Sequence, residues 1–216
     1  MNVHIGNTEF FEDKLGWTGL LIEGAPGNAA ELMKPGNRPG ATKYPMAVCR
    51  AGIPFIMMQG GGEVATDVDA ASEAFIKRWH RGKRDHAVKV PCKPFGEMLR
   101  TAGLGKGVDV ASIDVEGAEL KVLETMDWTI PVRVWVIEMD GSAATKDAAV
   151  RALMRRNGYC RTPRFISRYC GRGPPAEPRA SYPWCLPNEV FEPCRPELLA
   201  AETACPLDMP QVRCRY

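Results

Sequence analysis

Carboxylates recur where strand-like runs end. In "VASIDVEGAELKVLETM", residues 110–126, an apolar run gives way to Asp114 and Glu116, then to Gly117 and a series of good helix formers. Glu23 ends the run "TGLLIE", and Glu138 ends "VRVWVIE". In an open α/β sheet, ligands bind in the crevice beyond the carboxyl ends of the strands. If these strands are parallel, the three acids line one rim. An acid one residue past the second strand suits bidentate acceptance from vicinal ribose hydroxyls, and Glu23 fits that description. Asp114 suits orienting or deprotonating a hydroxyl as a general base, and equally suits binding an ammonium group. For Glu116, complementing the following helix dipole, worth ~0.3–1 kcal/mol, is as good a reading as function. Glu119 and Glu124 read as a solvated helix face. His80 and His86 read as solvated residues of a basic loop, without the partner a histidine-based nucleophile relay needs.

The elements that would hold these acids alternate. "GNTEFFEDKLGW" predicts a helix capped by Asn7 or Thr8 and stopped by Gly16. A buried strand, "TGLLIEG", follows, then a helix from Asn28 to Met33, a strand "ATKYPMAVC" and another in "IPFIMM". Residues 59–85 read as a loop with helix near Ser72 to Trp79. The alternation resumes with strand "HAVKVPC", helix "PFGEMLRTAG", strand "VDVASIDV", a helix from Gly117 to Met126, strand "VRVWVIEMD" and helix "TKDAAVRALMRRNG". This pattern predicts βαβ units around a mostly parallel sheet. Beyond Tyr159 prolines accumulate and only "NEVFEP" reads as a strand. The expected division is a domain over 1–158 and a Cys/Pro-rich extension over 159–216.

The bulk numbers narrow the partners. The 216 residues suffice for one substantial core, and 45% apolar with 25% charged residues is ordinary for a globular domain. A formal charge of +2, without an aromatic–basic repeat, gives no nucleic-acid footprint. No run approaches the roughly 20 apolar residues of a membrane span, and no signal-peptide core is visible, so cytosol is the default compartment. None of the eight cysteines forms a C-x-x-C pair, and no metal site is expected. Six of them crowd the tail as free thiols in one reading, or as disulfides in the other if the chain meets an oxidising compartment.

"GNTEFFEDKLGWTGLLIEGAPGN", "NRPGATKYPMAVC", "VKVPC", "ASIDVEGAELKVLETMDW" and "VWVIEMD", in that order over roughly residues 5–140, resemble the FkbM family of S-adenosylmethionine-dependent methyltransferases. The resemblance implies a Rossmann-like sheet with flanking helices, S-adenosyl-L-methionine as cofactor, and O-methylation of a hydroxyl on a sugar or small metabolite. Carried over by position, Glu23 would hold the cofactor ribose. Asn7 and Thr8 would stand beside its amino acid portion, and Ala47, Val48 and Cys49 would border the adenine. Asp114 and Glu116, with Glu119 as a further candidate, would line the pocket near the methyl group and the acceptor. The family's first strand and its glycine-rich turn lie ahead of the first helix, where this chain offers only "MNVHI". That strand sits between the second and fourth, so a chain without it is expected to hold two half-sheets, with "VHI" filling part of the slot. The alternative is a non-catalytic relative of the secretory or endosomal trafficking system.

Overall fold

The computed structural model describes residues 8–84, 86–139, 143–166 and 188–204. The elements are α1 (Glu9–Leu15), β1 (Gly19–Ile22), α2 (Pro26–Leu32), β2 (Ala41–Tyr44), β3 (Ala47–Val48), β4 (Phe55–Gln59), a 3-10 turn (Gly62–Val64), β5 (Thr66–Asp67) and α3 (Glu73–Trp79). They continue with β6 (Val88–Lys93), α4 (Phe95–Thr101), β7 (Val108–Ile113), α5 (Glu119–Glu124), β8 (Val132–Glu138), α6 (Ala144–Arg156), β9 (Tyr159–Ile166), β10 (Asn188–Pro193) and α7 (Pro196–Ala204). Punctuation residues explain several boundaries. Gly16 ends α1 at φ 65, a left-handed conformation that glycine adopts without steric cost. Ser72 caps α3 by accepting from the Phe75 N–H at 3.1 Å. The expected side-chain cap on α1 is absent, because Thr8 Oγ1 instead accepts from Arg38 Nη2 at 3.1 Å.

The sheets are mixed, which corrects the expectation of a mostly parallel one. β1 and β2 pair parallel, β7-β8-β10-β9 form a second sheet, and β3-β6-β4-β5 a third. In the second sheet β7 and β8 are parallel, while β10 is antiparallel to both β8 and β9. The reason lies in the crossover. α6 returns the chain so that β9 runs in the same direction as β8 but one strand-width away, and β10 fills the gap from the opposite direction. The run "ATKYPMAVC" is split, with β2 and β3 in different sheets on either side of Pro45. Among the described residues no strand joins β1 to β7, and "VHI" lies outside them.

The core lies on the β7–β8–β10 sheet. Trp135 and Ile137 of β8 and Phe191 of β10 are fully buried against Leu99 of α4, Leu123 of α5 and Met154 of α6. Trp135 meets Phe95, Trp128 and Tyr159 with ring centroids at 6.4, 5.8 and 6.0 Å, and the Tyr159 hydroxyl accepts from the Val132 N–H at 2.9 Å. Leu20 and Ile22 of β1 pack against this core but stay half-buried, so β1 is not the fully buried strand its composition predicted. A wholly buried ionic group ties α6 to β10 and β9: Arg151 grips Glu189 through Nε and Nη2 at 2.8–3.1 Å, and Arg161 Nη1 lies 3.5 Å from the same carboxylate.

Two disulfides form, Cys49–Cys92 and Cys160–Cys194, and the second pairs two of the six tail cysteines for which the simpler reading expected free thiols. The first crosses β3 and β6, and the second joins β9 to the residue just after β10. Cys170, Cys185, Cys205 and Cys214 lie outside the described residues. No helix among the described residues is long and apolar enough to cross a membrane.

Candidate functional site

Parallel pairing of β7 with β8 sets Ile113 opposite Ile137, so the next residues, Asp114 and Glu138, emerge side by side at the carboxyl ends. The chain then turns sharply. Glu116 takes φ 52, a left-handed conformation uncommon for a residue with a side chain, and Gly117 follows at φ 100. This turn brings Glu116 back toward the pair. Carboxylate oxygens of Asp114, Glu116 and Glu138 lie within 4.8 Å of one another, with Asp114 exposed and the other two half-buried.

Three like charges at that range are unstable unless something neutralises them. Burial, reinforced by the charges of Asp114, Glu116 and Glu119 and by a hydrogen bond to Asp114, pushes the Glu138 carboxyl up to about 10. Glu138 is therefore protonated at neutral pH, and one proton is shared within the cluster. Its Oε2 is buried and has no hydrogen-bond partner among the described residues. Three oxygen ligands at this spacing also suit a hard divalent cation, although the shared proton satisfies the same geometry without one.

Glu119 behaves differently from the solvated residue its helical position suggested. It is fully buried, its Oε1 accepting from the Gly117 N–H at 3.0 Å and its Oε2 from Lys146 Nζ at 2.7 Å. Glu119, not Glu116, thus holds the backbone at the start of α5, while Lys146 on α6 balances its charge. Glu124 is exposed, as expected, and pairs with Arg50 at 2.7 Å.

Glu23 follows β1 directly. Its Oε1 accepts from the Ala25 N–H at 2.7 Å, and Asn28 Nδ2 lies 3.4 Å from Oε2. Burial raises its pKa, and these same donors act in the opposite direction. The close fit of Gly24 sets its neighbours, because a Cβ there would come within 2.7 Å of Met58 Sδ and 3.0 Å of Ala47 Cβ. Glu23 consequently sits beside β3, which carries Ala47 and Val48, while Cys49 is buried and bonded to Cys92. Asn7 lies outside the described residues, and Thr8 faces Arg38.

One segment links the two acidic places. Asn28 Nδ2, next to Glu23, donates to the Gly62 carbonyl at 2.9 Å, and Thr66 Oγ1 donates to the Glu116 carbonyl at 2.8 Å. Residues 62 and 66 are at most about 14 Å apart even in extended chain. A single short stretch therefore touches both the surroundings of Glu23 and the turn that carries Glu116. Of residues 59–85, expected to be a loop with helix near Ser72 to Trp79, the helix is present as α3, while the stretch as a whole is anchored more firmly than a loop. Thr66, Asp67, Phe75 and Ile76 are buried, Asp67 pairs with Lys121 at 3.1 Å, and His80 Nε2 lies 3.0 Å from the Val64 carbonyl.

The sequence marked Glu138 as a strand-end acid without giving it a role, although its parallel placement next to Asp114 was the available signal. Asn28 and Lys146 carried none. Their roles depend on contacts 34 and 27 residues away in the chain.

A half-buried carboxyl at the end of β1, with one oxygen only weakly engaged, has the chemistry when ionised to take two hydroxyl donors from a vicinal diol. Glu23, with Ala47 and Val48 of β3 beside it, is the described place that could hold a ribose and its base. No curated protein and no solved structure matches the chain. The sequence model of the methyltransferase FkbM domain matches residues 3–160, well over half of the chain, which therefore belongs to the FkbM methyltransferase family.

Proposed function

We propose that the chain is an S-adenosylmethionine-dependent O-methyltransferase whose acceptor is a hydroxyl on a sugar or small metabolite. The observation that carries this reading is the carboxylate cluster at the ends of β7 and β8, with its proton held on Glu138. Neighbouring carboxyls whose environments differ divide into an acid and a base. Asp114 is the exposed member, which supports giving it the acceptor.

S-adenosylmethionine, when bound, supplies an electrophilic methyl group on a sulfonium. Glu23 would take the ribose hydroxyls, and Ala47 and Val48 would border the adenine. Asp114 would orient the acceptor hydroxyl and accept its proton, while Glu138 donates a hydrogen bond to Asp114 and keeps a third negative charge out of the cluster. Positioning of this kind supplies much of the rate in a transfer that requires in-line approach. The two disulfides suit an oxidising compartment, which fits a lumenal enzyme as well as the alternative of a non-catalytic trafficking relative.

Titration calorimetry with S-adenosylmethionine separates the two. The enzyme reading expects heat of binding that Glu23→Ala weakens by roughly 10–100-fold, the range for a hydrogen bond to a charged group. It also expects Asp114→Asn to lower turnover by about 10²–10⁴-fold with cofactor affinity kept. No heat with the unmodified chain refutes the cofactor, and unchanged affinity in Glu23→Ala refutes the ribose assignment.

A further inference from the structure

The residues from Lys77 to Arg84, "KRWHRGKR", stand beside the site and take no part in the chemistry above. They form a built turn. The Gly82 N–H donates to the Ile76 carbonyl and the Lys83 N–H to the His80 carbonyl, both at 3.0 Å, with Arg81 at φ 54 and Gly82 at φ 75. Buried Gln59 holds the Lys83 carbonyl at 2.8 Å. Arg84 closes the turn by donating to the Val68 and Ala71 carbonyls and pairing with Glu73 at 2.6 Å.

These anchors place the turn over the stretch that links Glu23 to the acid cluster. The Ala71 Cα lies 3.7 Å from where a Cβ on Gly117 would stand, and Thr66 touches Glu116. Lys77, Arg81 and Lys83 are exposed and have no carboxylate partner among the described residues. Trp79 is 37% exposed between them, with the Arg78 guanidinium 4.8 Å from its ring centroid.

Lys77, Arg81 and Lys83, without a carboxylate partner among the described residues, thus sit on a turn whose anchors reach the residues that contact Glu116 and Gly117. A neutral acceptor gains nothing from the cationic side. An acceptor carrying an oxyanion as well as its reactive hydroxyl would have the anion held by the turn and the hydroxyl directed to Asp114, and the acid cluster would repel the opposite orientation. The exposed indole adds a flat apolar surface of the kind the C–H face of a sugar ring covers.

We propose, resting on the methyltransferase reading, that residues 77–83 form an anion-binding arm and that the acceptor is an acidic saccharide bearing a carboxylate or sulfate. The test uses fluorescence anisotropy with three labelled oligosaccharides of equal length, one sulfated, one carrying only uronic carboxylates and one neutral, at low and high salt. At least one anionic probe should bind more tightly than the neutral one, and binding should weaken as salt shortens the screening length from about 10 Å at 0.1 M to 3 Å at 1 M. Preference between the two anionic probes identifies the group. The triple substitution Lys77→Gln, Arg81→Gln, Lys83→Gln should lower affinity on the order of tenfold, each exposed contact contributing a few-fold. Equal binding of the neutral probe, an unaffected triple variant, or tighter binding of duplex RNA than of either anionic saccharide overturns the proposal. Calorimetry with S-adenosylmethionine on the same proteins keeps the two readings apart. Absent cofactor binding with arm-dependent anion binding sinks the methyltransferase alone, and normal cofactor binding with no anion preference sinks the arm alone.

Discussion

Replacing Glu138 by glutamine should stabilise the fold, and more so as pH rises. In the native chain the Glu138 carboxyl is pushed from 4.5 up to about 10, first by burial and then by the acids around it. Between those values the folded state holds a proton that the unfolded state releases. Its contribution to stability is thus fully present below about pH 4.5 and is lost as pH rises toward 10. The slope for one proton is about 1.4 kcal/mol per pH unit, which accumulates to about 4 kcal/mol by pH 7.5. That figure is an upper one, because the side chain is partly open to water. Glutamine keeps the size and an N–H to donate to Asp114, and it has no proton to lose. Urea denaturation of both proteins at pH 5.5, 7.0 and 8.5 should show the stability difference widening by roughly 1 kcal/mol per pH unit in favour of the variant. Groups that titrate alike in both proteins cancel in that difference. A gap that is flat or narrows over this range would refute the assignment of the shared proton to Glu138.

Two further outcomes bear on the scaffold. Glu189→Ala should cost about 3–5 kcal/mol in the same denaturation assay, because it leaves the buried charges of Arg151 and Arg161 without the carboxylate that both approach, and a loss under 1 kcal/mol would contradict the buried ionic group. Non-reducing peptide mapping should recover Cys49 linked to Cys92 and Cys160 linked to Cys194, and reduction should lower stability by up to about 4 kcal/mol per bridge for loops of 43 and 34 residues. Stability unchanged by reduction would contradict that estimate.

The sequence showed the local order of the fold better than its long-range pairing. The α6 helix and the β8 strand are legible because their apolar residues follow a single period and their ends carry clear breaks. β9 is not, because "YCRTPRFI" contains arginines and a proline that look like loop. The structure accounts for two of these: Arg161 is buried against Glu189, and a proline at 163 is tolerated because β9 lies at the sheet edge. Thr66 and Asp67 read as loop for the same reason, since their burial depends on Glu116 and Lys121, about 50 residues further on. Strand-end position pointed to Glu23, Asp114, Glu116 and Glu138, and the structure sets the last three together. It could not separate their environments, and Glu119 was misread because its charge is balanced by a lysine 27 residues away on another helix.

The acid corner is where this fold departs most from what stability alone would select. A single change of Glu138 to an amide would remove the proton-holding cost without altering packing. Glu116 adds a left-handed backbone conformation, of order 1–3 kcal/mol for a residue with a side chain, although glycine already follows it and could have occupied the turn alone. Against a total stability of about 5–15 kcal/mol for a domain, these are large terms to concentrate within one turn. Neither term strengthens the core, since Trp135, Ile137 and Leu123 are fully buried whether or not a proton resides on Glu138. What both terms do supply is a charge arrangement, one exposed carboxylate backed by a protonated one, at the carboxyl ends of parallel strands. Local strain and a perturbed acid found together in this way are a reason to test this corner for chemistry, as the proposed methyl transfer requires.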